Sequence, residues 1–244
     1  MSRLHLGALI ATGAVAALIS TGCSTTSGTP APAAASTGTT TSASAAAPAL
    51  DGAKVGSAVA DAAKQAKAVH VRGTVSEGGN LNLDLQLNPD SASGTVVQDG
   101  LEIPVLRVGD KYYFRFSQSL IEKAGLPASV GKLLKDKWVP STSQVGAGIG
   151  DAFKQFLDYK TFTDNTVGEL KSATFTGGEP TTSGGVPAQT FTSPDGTATV
   201  AAADPHYLLR MQDPKSGTLE FSDWDKPTTV AEPKAAEIYS GPGA

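Results

Sequence analysis

Side chains able to do covalent or metal chemistry are sparse in this 244-residue chain. It has one cysteine, Cys23, and three histidines, His5, His70 and His206. Only His70 and His206 follow Cys23, and each stands alone in a strand-like stretch, where histidine is usually a surface or hydrogen-bonded residue. Without cysteine in the folded part, those two histidines make no transition-metal site, and no metal or cofactor is expected. Asp223 and Asp225 flank Trp224. In a strand they would share a face, as paired acid–base carboxylates must, but paired acids near a turn are common on surfaces. Neither a G-x-S-x-G elbow nor an H-E-x-x-H pair nor a Walker loop occurs. Gly177-Gly178 and Gly184-Gly185 lie in turn-like sequence, not between a strand and a helix where they could cradle phosphate. No catalytic residue is expected, and the chain reads as a non-enzyme.

Cys23 is the exception, because of where it lies. Arg3 is the one fixed charge at the N-terminus, and an apolar run from Leu6 to Ile19 follows. The run is too short to span a bilayer, which takes roughly 20 residues. A basic start, a short apolar stretch and small residues before a cut describe a secretion signal, here residues 1–22. Without an Arg-Arg pair, the general secretion route is expected. Ser20-Thr21-Gly22-Cys23 resembles a bacterial lipobox, although the lipobox usually has Leu where Ser20 stands. The resemblance implies a thioether from Cys23 to diacylglycerol, with palmitate-type acyl chains. Acyl chains add about 0.8 kcal/mol per buried methylene, and two hold a protein at a membrane far better than one. An unmodified exposed thiol outside the cell would be a reactive liability. The expected location is the outer face of the cell membrane, lipid-anchored at Cys23.

Residues Ser24 to Leu50 carry no charge and are almost wholly Ser, Thr, Ala, Pro and Gly. Such a stretch cannot bury enough apolar surface to offset the entropy of ordering it. Residues 23–50 are expected to be the lipidated Cys and a disordered tether, reaching on the order of 30 Å as a coil.

Residues 51–244 are long enough for one domain with a sizeable core. The net charge of −4 and the absence of a basic cluster argue against nucleic-acid binding. Asp51 is a suitable cap for a helix on which Val55, Ala58, Val59, Ala62 and Ala66 share a face, ending near Lys67. The period then drops to two. Val69, Val71 and Val75 alternate with polar residues, and so do Leu81, Leu83, Leu85 and Leu87, the clearest strand in the chain. Asn88-Pro89-Asp90 makes a turn. Strands are predicted around Gly94–Val97, at Leu101–Val108 and at Lys111–Phe116, with Gly109-Asp110 as the turn between the last two. Helices follow: one capped by Ser117 or Ser119 and stopped by Gly125 and Pro127, one over Ser129–Lys135, and one marked by Ile149, Phe153, Phe156 and Leu157. Strands return near Ser172–Thr176, Val186–Thr192, Thr197–Ala203, Tyr207–Gln212 and Thr218–Ser222. Segregated helices and antiparallel hairpins imply an α+β fold, with one sheet face covered by the middle helices.

The order of several short pieces is similar to the LppX/LprG group of actinobacterial lipoproteins, within the LolA-like superfamily. These pieces are Val69-His70-Val71 after an Ala-rich helix, Val108-Gly109-Asp110-Lys111-Tyr112-Tyr113, Lys137-Trp138-Val139-Pro140, Gly184-Gly185-Val186-Pro187-Ala188, Tyr207-Leu208-Leu209-Arg210 and Phe221-Ser222-Asp223-Trp224. The resemblance implies a strongly curved antiparallel β half-barrel with helices packed on its concave face. Several members of that group enclose a hydrophobic pocket and carry lipids or lipoglycans, and others have little or no pocket. Two functions are therefore in view. The first is an anchored carrier or chaperone that binds a hydrophobic or lipid ligand, with Leu83, Leu85, Leu87, Val105, Phe114 and Phe116 as the candidate wall. The second is a pocketless structural or interaction lipoprotein. A monomer is expected. An apolar stripe shows burial and not a cavity, so the packing of the inner face discriminates between the two.

Overall fold

The structure is a computed structural model that describes residues 50–76 and 80–244; of Gly148, Ile149 and Asp151 only the backbone is described. Cys23, the signal and nearly all of the tether lie outside the described residues. Asp51 does cap a helix: its carboxylate accepts the Ala53 N–H at the start of α1 (Gly52–Gln65), which buries Val55, Val59, Ala62 and Ala63. Five strands follow as successive hairpins, β1 (Val69–Val75), β2 (Leu81–Asn88), β3 (Ser91–Gln98), β4 (Leu101–Val108) and β5 (Lys111–Arg115). Next come α2 (Gln118–Lys123), α3 (Ala128–Leu134), a short β6 (Trp138–Pro140), α4 (Ala147–Leu157), α5 (Tyr159–Thr166) and a 3-10 turn, Gly168–Ser172. The chain returns to hairpins with β7 (Thr176–Ser183), β8 (Val186–Ser193), β9 (Gly196–Ala201), β10 (Leu208–Asp213) and β11 (Gly217–Ser222).

Among the described residues all strands join one 11-stranded antiparallel sheet in the order β6-β5-β4-β3-β2-β1-β11-β10-β9-β8-β7. The β1–β11 pairing closes the two hairpin series onto each other, while β6 and β7 remain at opposite edges, so the half-barrel is open. Register sets one apolar row across most of it: Val139, Phe114, Val105, Gly94, Leu85, Val71 and Phe221 lie directly opposite one another in turn. Every side chain in that row is buried, against Val55 and Val59 of α1, Phe153 and Leu157 of α4, and Phe162 of α5. Bending so wide a sheet around its helices takes local kinks. Gly73 and Gly94, on the strands either side of β2, have φ of +137° and +152°, and a Cβ on either would sit 2.0 Å from a neighbouring carbonyl oxygen. Only glycine fits there.

The structure differs from the sequence reading in several places. Gly177-Gly178, expected in a turn, lie in β7 beside a register shift, and Trp138–Pro140 pairs with β5 as an unexpected strand. Ser172–Thr176, expected as a strand, is the end of the 3-10 turn and a linker, and β7 begins only at Thr176. Phe175 is buried there, and its carbonyl comes close to Gly52 of α1. β7 itself has no buried residue, so it carries no alternation to read. Helix α5 is mostly polar and buries only Tyr159, Phe162 and Thr163; its Asp158 cap is the signal for it. Phe116 lies just beyond β5, its N–H bonded to the Lys137 carbonyl.

Residues 223–244 form a strap along the sheet. The Asp225 N–H donates to the Ala68 carbonyl, and the Thr228 N–H to Asn88 Oδ1. Glu232 accepts from Lys111 and from the Tyr113 hydroxyl. Ile238 then pairs in parallel with Trp138, and the Tyr239 N–H donates to the Trp138 carbonyl. An edge strand with free backbone groups invites aggregation, and the strap satisfies part of the β6 edge.

Candidate ligand-binding face and groove

The six candidate wall residues do come together. Leu83, Leu85 and Leu87 face inward from β2, Val105 lies opposite Phe114, and Phe116 follows at the end of β5. Their exposures are 3, 0, 0, 1, 0 and 2%. The Phe114 ring sits 5.8 Å from that of Phe153 on α4. A side chain with no accessible surface has no water-sized void beside it, and a methylene needs more room than water. The centre of the inner face is thus filled by the protein's own helices.

The same face opens at one end. Between α4, α5 and the ends of β1, β10 and β11 lies a half-open groove of about 220 Å³, floored by Val75, Phe156, Phe162, Met211 and Leu219. Val75, Phe156 and Met211 are partly exposed and pack directly on the core. Met211, Thr166 and Glu169 also line a second groove, of about 320 Å³, whose apolar walls include Leu170, Phe175 and Ala198. Met211 thus stands between two adjoining clefts, the narrower mainly apolar and the wider lined by polar and apolar groups in about equal measure.

Alternation in Tyr207–Gln212 hides that position. A β-bulge between Leu208 and Arg210 inserts one residue, so Leu208 and Met211 both face inward and Arg210 faces out. A one-residue shift reverses every later side chain, and without the bulge Arg210 would occupy the groove. Phe156 was legible as part of the apolar face of α4, and Val75 as the last member of the β1 alternation.

Arg107 is a buried charge for whose partner the sequence alone offers no signal. It lies on the inner side of β4 with a side chain only 9% exposed, and its Nη2 pairs with Asp158 Oδ2 at 3.1 Å. Its Nε donates to the Gly109 carbonyl at 3.0 Å and its Nη1 to the Pro89 carbonyl at 3.1 Å. Asp158 sits at the α4–α5 corner and caps α5 by accepting the Thr161 N–H at 2.7 Å. Burial pushes the Asp158 carboxyl up, but the hydrogen bonds from Thr161 and the charges of Arg107 and Lys160 outweigh it and hold the group below the usual carboxylate range. One ion pair thus pins the helical cover to the turn end of the sheet.

The remaining candidates have structural partners. His70 Nε2 meets Asp84 Oδ1 at 2.7 Å on the outer face, and Asp84 also pairs with Arg72. His206 Nδ1 bonds to the Ala201 carbonyl. Asp223 and Asp225 lie past β11 with φ of +48° and +58°; Asp223 pairs with Lys226, and Asp225 accepts the Lys67 N–H. Among the described residues no group of three or more His, Cys, Asp or Glu could hold a metal, and no helix is long and apolar enough to cross a membrane.

No family model and no curated protein sequence matches the chain. Solved structures do. LprF from Mycobacterium bovis is similar with a TM-score of 0.50 and 13% identity, over 75% of this chain and 96% of that one. The fold is that of LprF. The Mycobacterium tuberculosis lipoprotein LppX is similar at a TM-score of 0.44 and 15% identity, over 74% of this chain and 98% of that one. At such identities the LprF likeness is one of fold. It is the architecture implied by the LppX/LprG resemblance: one open antiparallel sheet with helices on one face.

Proposed function

We propose that this chain is a membrane-anchored lipoprotein of the LppX/LprG type that binds a hydrophobic or lipid ligand in the cell envelope, as a carrier or chaperone and not as an enzyme. Residues 1–22 direct export, Cys23 takes the anchor, residues 23–50 are the tether and residues 51–244 are the binding domain. The observation that carries the ligand reading is the open end of the apolar face, where Val75, Phe156 and Met211 reach solvent from within the core. An acyl chain laid there loses water-exposed area at about 25 cal/mol per Å². Ligand sites commonly span roughly 300–1,000 Å³, and the wider cleft beside Met211 falls in that range at about 320 Å³. A longer chain reaches Leu83, Leu85, Leu87, Val105, Phe114 and Phe116 once α4 and α5 lift from the sheet.

Native mass spectrometry of the mature chain from Ser24, gently purified from a bacterial host, tests this. The expected result is a reproducible added mass that organic solvent releases and that proves to be a lipid or lipoglycan. Met211→Trp, which fills the space between the clefts, should lower its occupancy about tenfold, the effect of roughly 1.4 kcal/mol. A bare protein that also refuses added phospholipid ends this reading. It would leave the pocketless interaction lipoprotein, which the complete burial of Leu85, Leu87 and Phe114 supports. The anchor has its own test. Full-length Cys23→Ala should move from the membrane fraction to the soluble or secreted fraction, and its retention on the membrane would remove Cys23 from the account.

A further inference from the structure

The most exposed large apolar side chain among the described residues is Leu133, at 50%. It belongs to the α2–α3 hairpin, which leaves the sheet after β5 and returns to it at β6. The hairpin is a built unit. Ser117 caps α2 through the Leu120 N–H, Ile121 and Leu134 are buried, and α3 approaches so closely that a Cβ on Gly131 would meet Ile121 Cγ2 at 2.7 Å. A groove of about 420 Å³ separates its base, at Ser117 and Ser119, from Leu101 and Pro104 of β4.

Beyond those anchors Leu120, Leu126 and Val130 pack against the core with part of their surface open, and Leu133, one turn beyond Val130, faces solvent. Its charge is opposite to that of the whole. Residues 117–137 hold Lys123, Lys132, Lys135 and Lys137 against Glu122 and Asp136, a net of +2, in a chain of net −4. Lys123 pairs with Asp99 and Lys137 donates to the Ala236 carbonyl, whereas Lys132 and Lys135 are exposed and form no ion pair among the described residues. Exposed leucine beside lysines whose stems can lie along apolar surface is the composition of an interfacial membrane contact.

We infer that the α2–α3 hairpin is a second membrane contact, which seats Leu133 in the interface of an anionic phospholipid surface while Lys132 and Lys135 meet its headgroups. A hairpin this short binds weakly alone. On a chain already anchored through Cys23 the contact becomes intramolecular, and a weak affinity suffices to orient the domain. The inference uses the membrane location proposed above and is independent of whether the clefts hold a ligand.

The test is sedimentation of the mature chain from Ser24, without its lipid, with vesicles of phosphatidylcholine alone and of phosphatidylcholine mixed with phosphatidylglycerol. Binding is expected only to the mixed vesicles, and it weakens with added salt. Lys132→Gln and Lys135→Gln should each weaken it about fivefold, and Leu133→Asp about tenfold or more. All three positions are exposed, so the melting temperatures should match the parent. A Leu133→Trp variant should shift its emission to the blue on mixed vesicles and not on neutral ones. The inference is overturned if the chain ignores mixed vesicles or if the three substitutions leave binding unchanged. It is equally overturned if Leu133→Asp abolishes a concentration-dependent dimer, which would give this face to a second copy of the chain. Lipid retained in native mass spectra alongside failed vesicle binding would sink the hairpin contact and leave the ligand reading intact.

Discussion

Phe114→Ala should lower the free energy of unfolding by about 4 kcal/mol, a loss typical of truncating a buried phenylalanine. The ring has no exposure, sits in register between Val105 and Val139, and faces Phe153 across the sheet–helix boundary. Truncation removes its burial and leaves a void that neighbours on a sheet and a helix cannot both close. Urea unfolding measures the effect as a lower midpoint at an unchanged slope. A loss under about 1 kcal/mol would mean that the inner face is loosely filled around this ring. The variant also probes function. If the inner face accepts acyl chains, added lipid should restore part of the lost stability, because a ligand bound only by the folded state stabilises it in proportion to its occupancy.

Asp158→Ala should cost about 3 kcal/mol, and more than Arg107→Met does. Removing the carboxylate strands a guanidinium that is only 9% exposed, whereas removing the arginine leaves a carboxylate 26% exposed that water can still reach. Breaking a buried pair by deleting one partner is expensive, while apolar replacement of comparable volume is often tolerated. Asp158→Ala also deletes the cap of α5, a loss of about 1 kcal/mol in its own right. The pH dependence follows from the sign of the shift. The folded carboxyl titrates below its unfolded value of about 3.9, so its stabilisation is fully present above that value and is lost as pH falls through the folded one. Acid unfolding of the parent should therefore be steeper below about pH 4 than that of Asp158→Ala. An equal slope in both proteins, or an Arg107→Met variant weaker than Asp158→Ala, would remove this pair as the fastening of the helical cover. In the ligand reading, loosening this corner should also speed lipid uptake.

Much of this molecule was legible because local rules and the fold agree. The leucine alternation in β2 specified a strand with one buried face, and the structure buries all four leucines. Asp51 announced a helix start that its side chain does cap, and of the two candidates Ser117 and Ser119 the structure selects Ser117 as the cap of α2. Asn88-Pro89-Asp90 and Gly109-Asp110 placed hairpin turns where β2–β3 and β4–β5 reverse. In each case the determining interaction lies within a few residues of its signal.

What stayed hidden depends on partners far along the chain. β7 lies at an edge with both faces exposed, so no hydrophobic period marks it. Arg107 stands on the inner face of β4 by its own alternation with Ile103 and Val105, and only the arrival of Asp158 shows why a charge can be buried there. The bulge in β10 changes which residue faces the cleft, and the pairing with β9 decides it. Local patterning is enough to say which residues avoid water. What covers them depends on the packing of distant elements, for the same leucines line a cavity or fill a core according to how closely α1, α4 and α5 settle onto the sheet. Here they settle closely at its centre and part from it beside Met211.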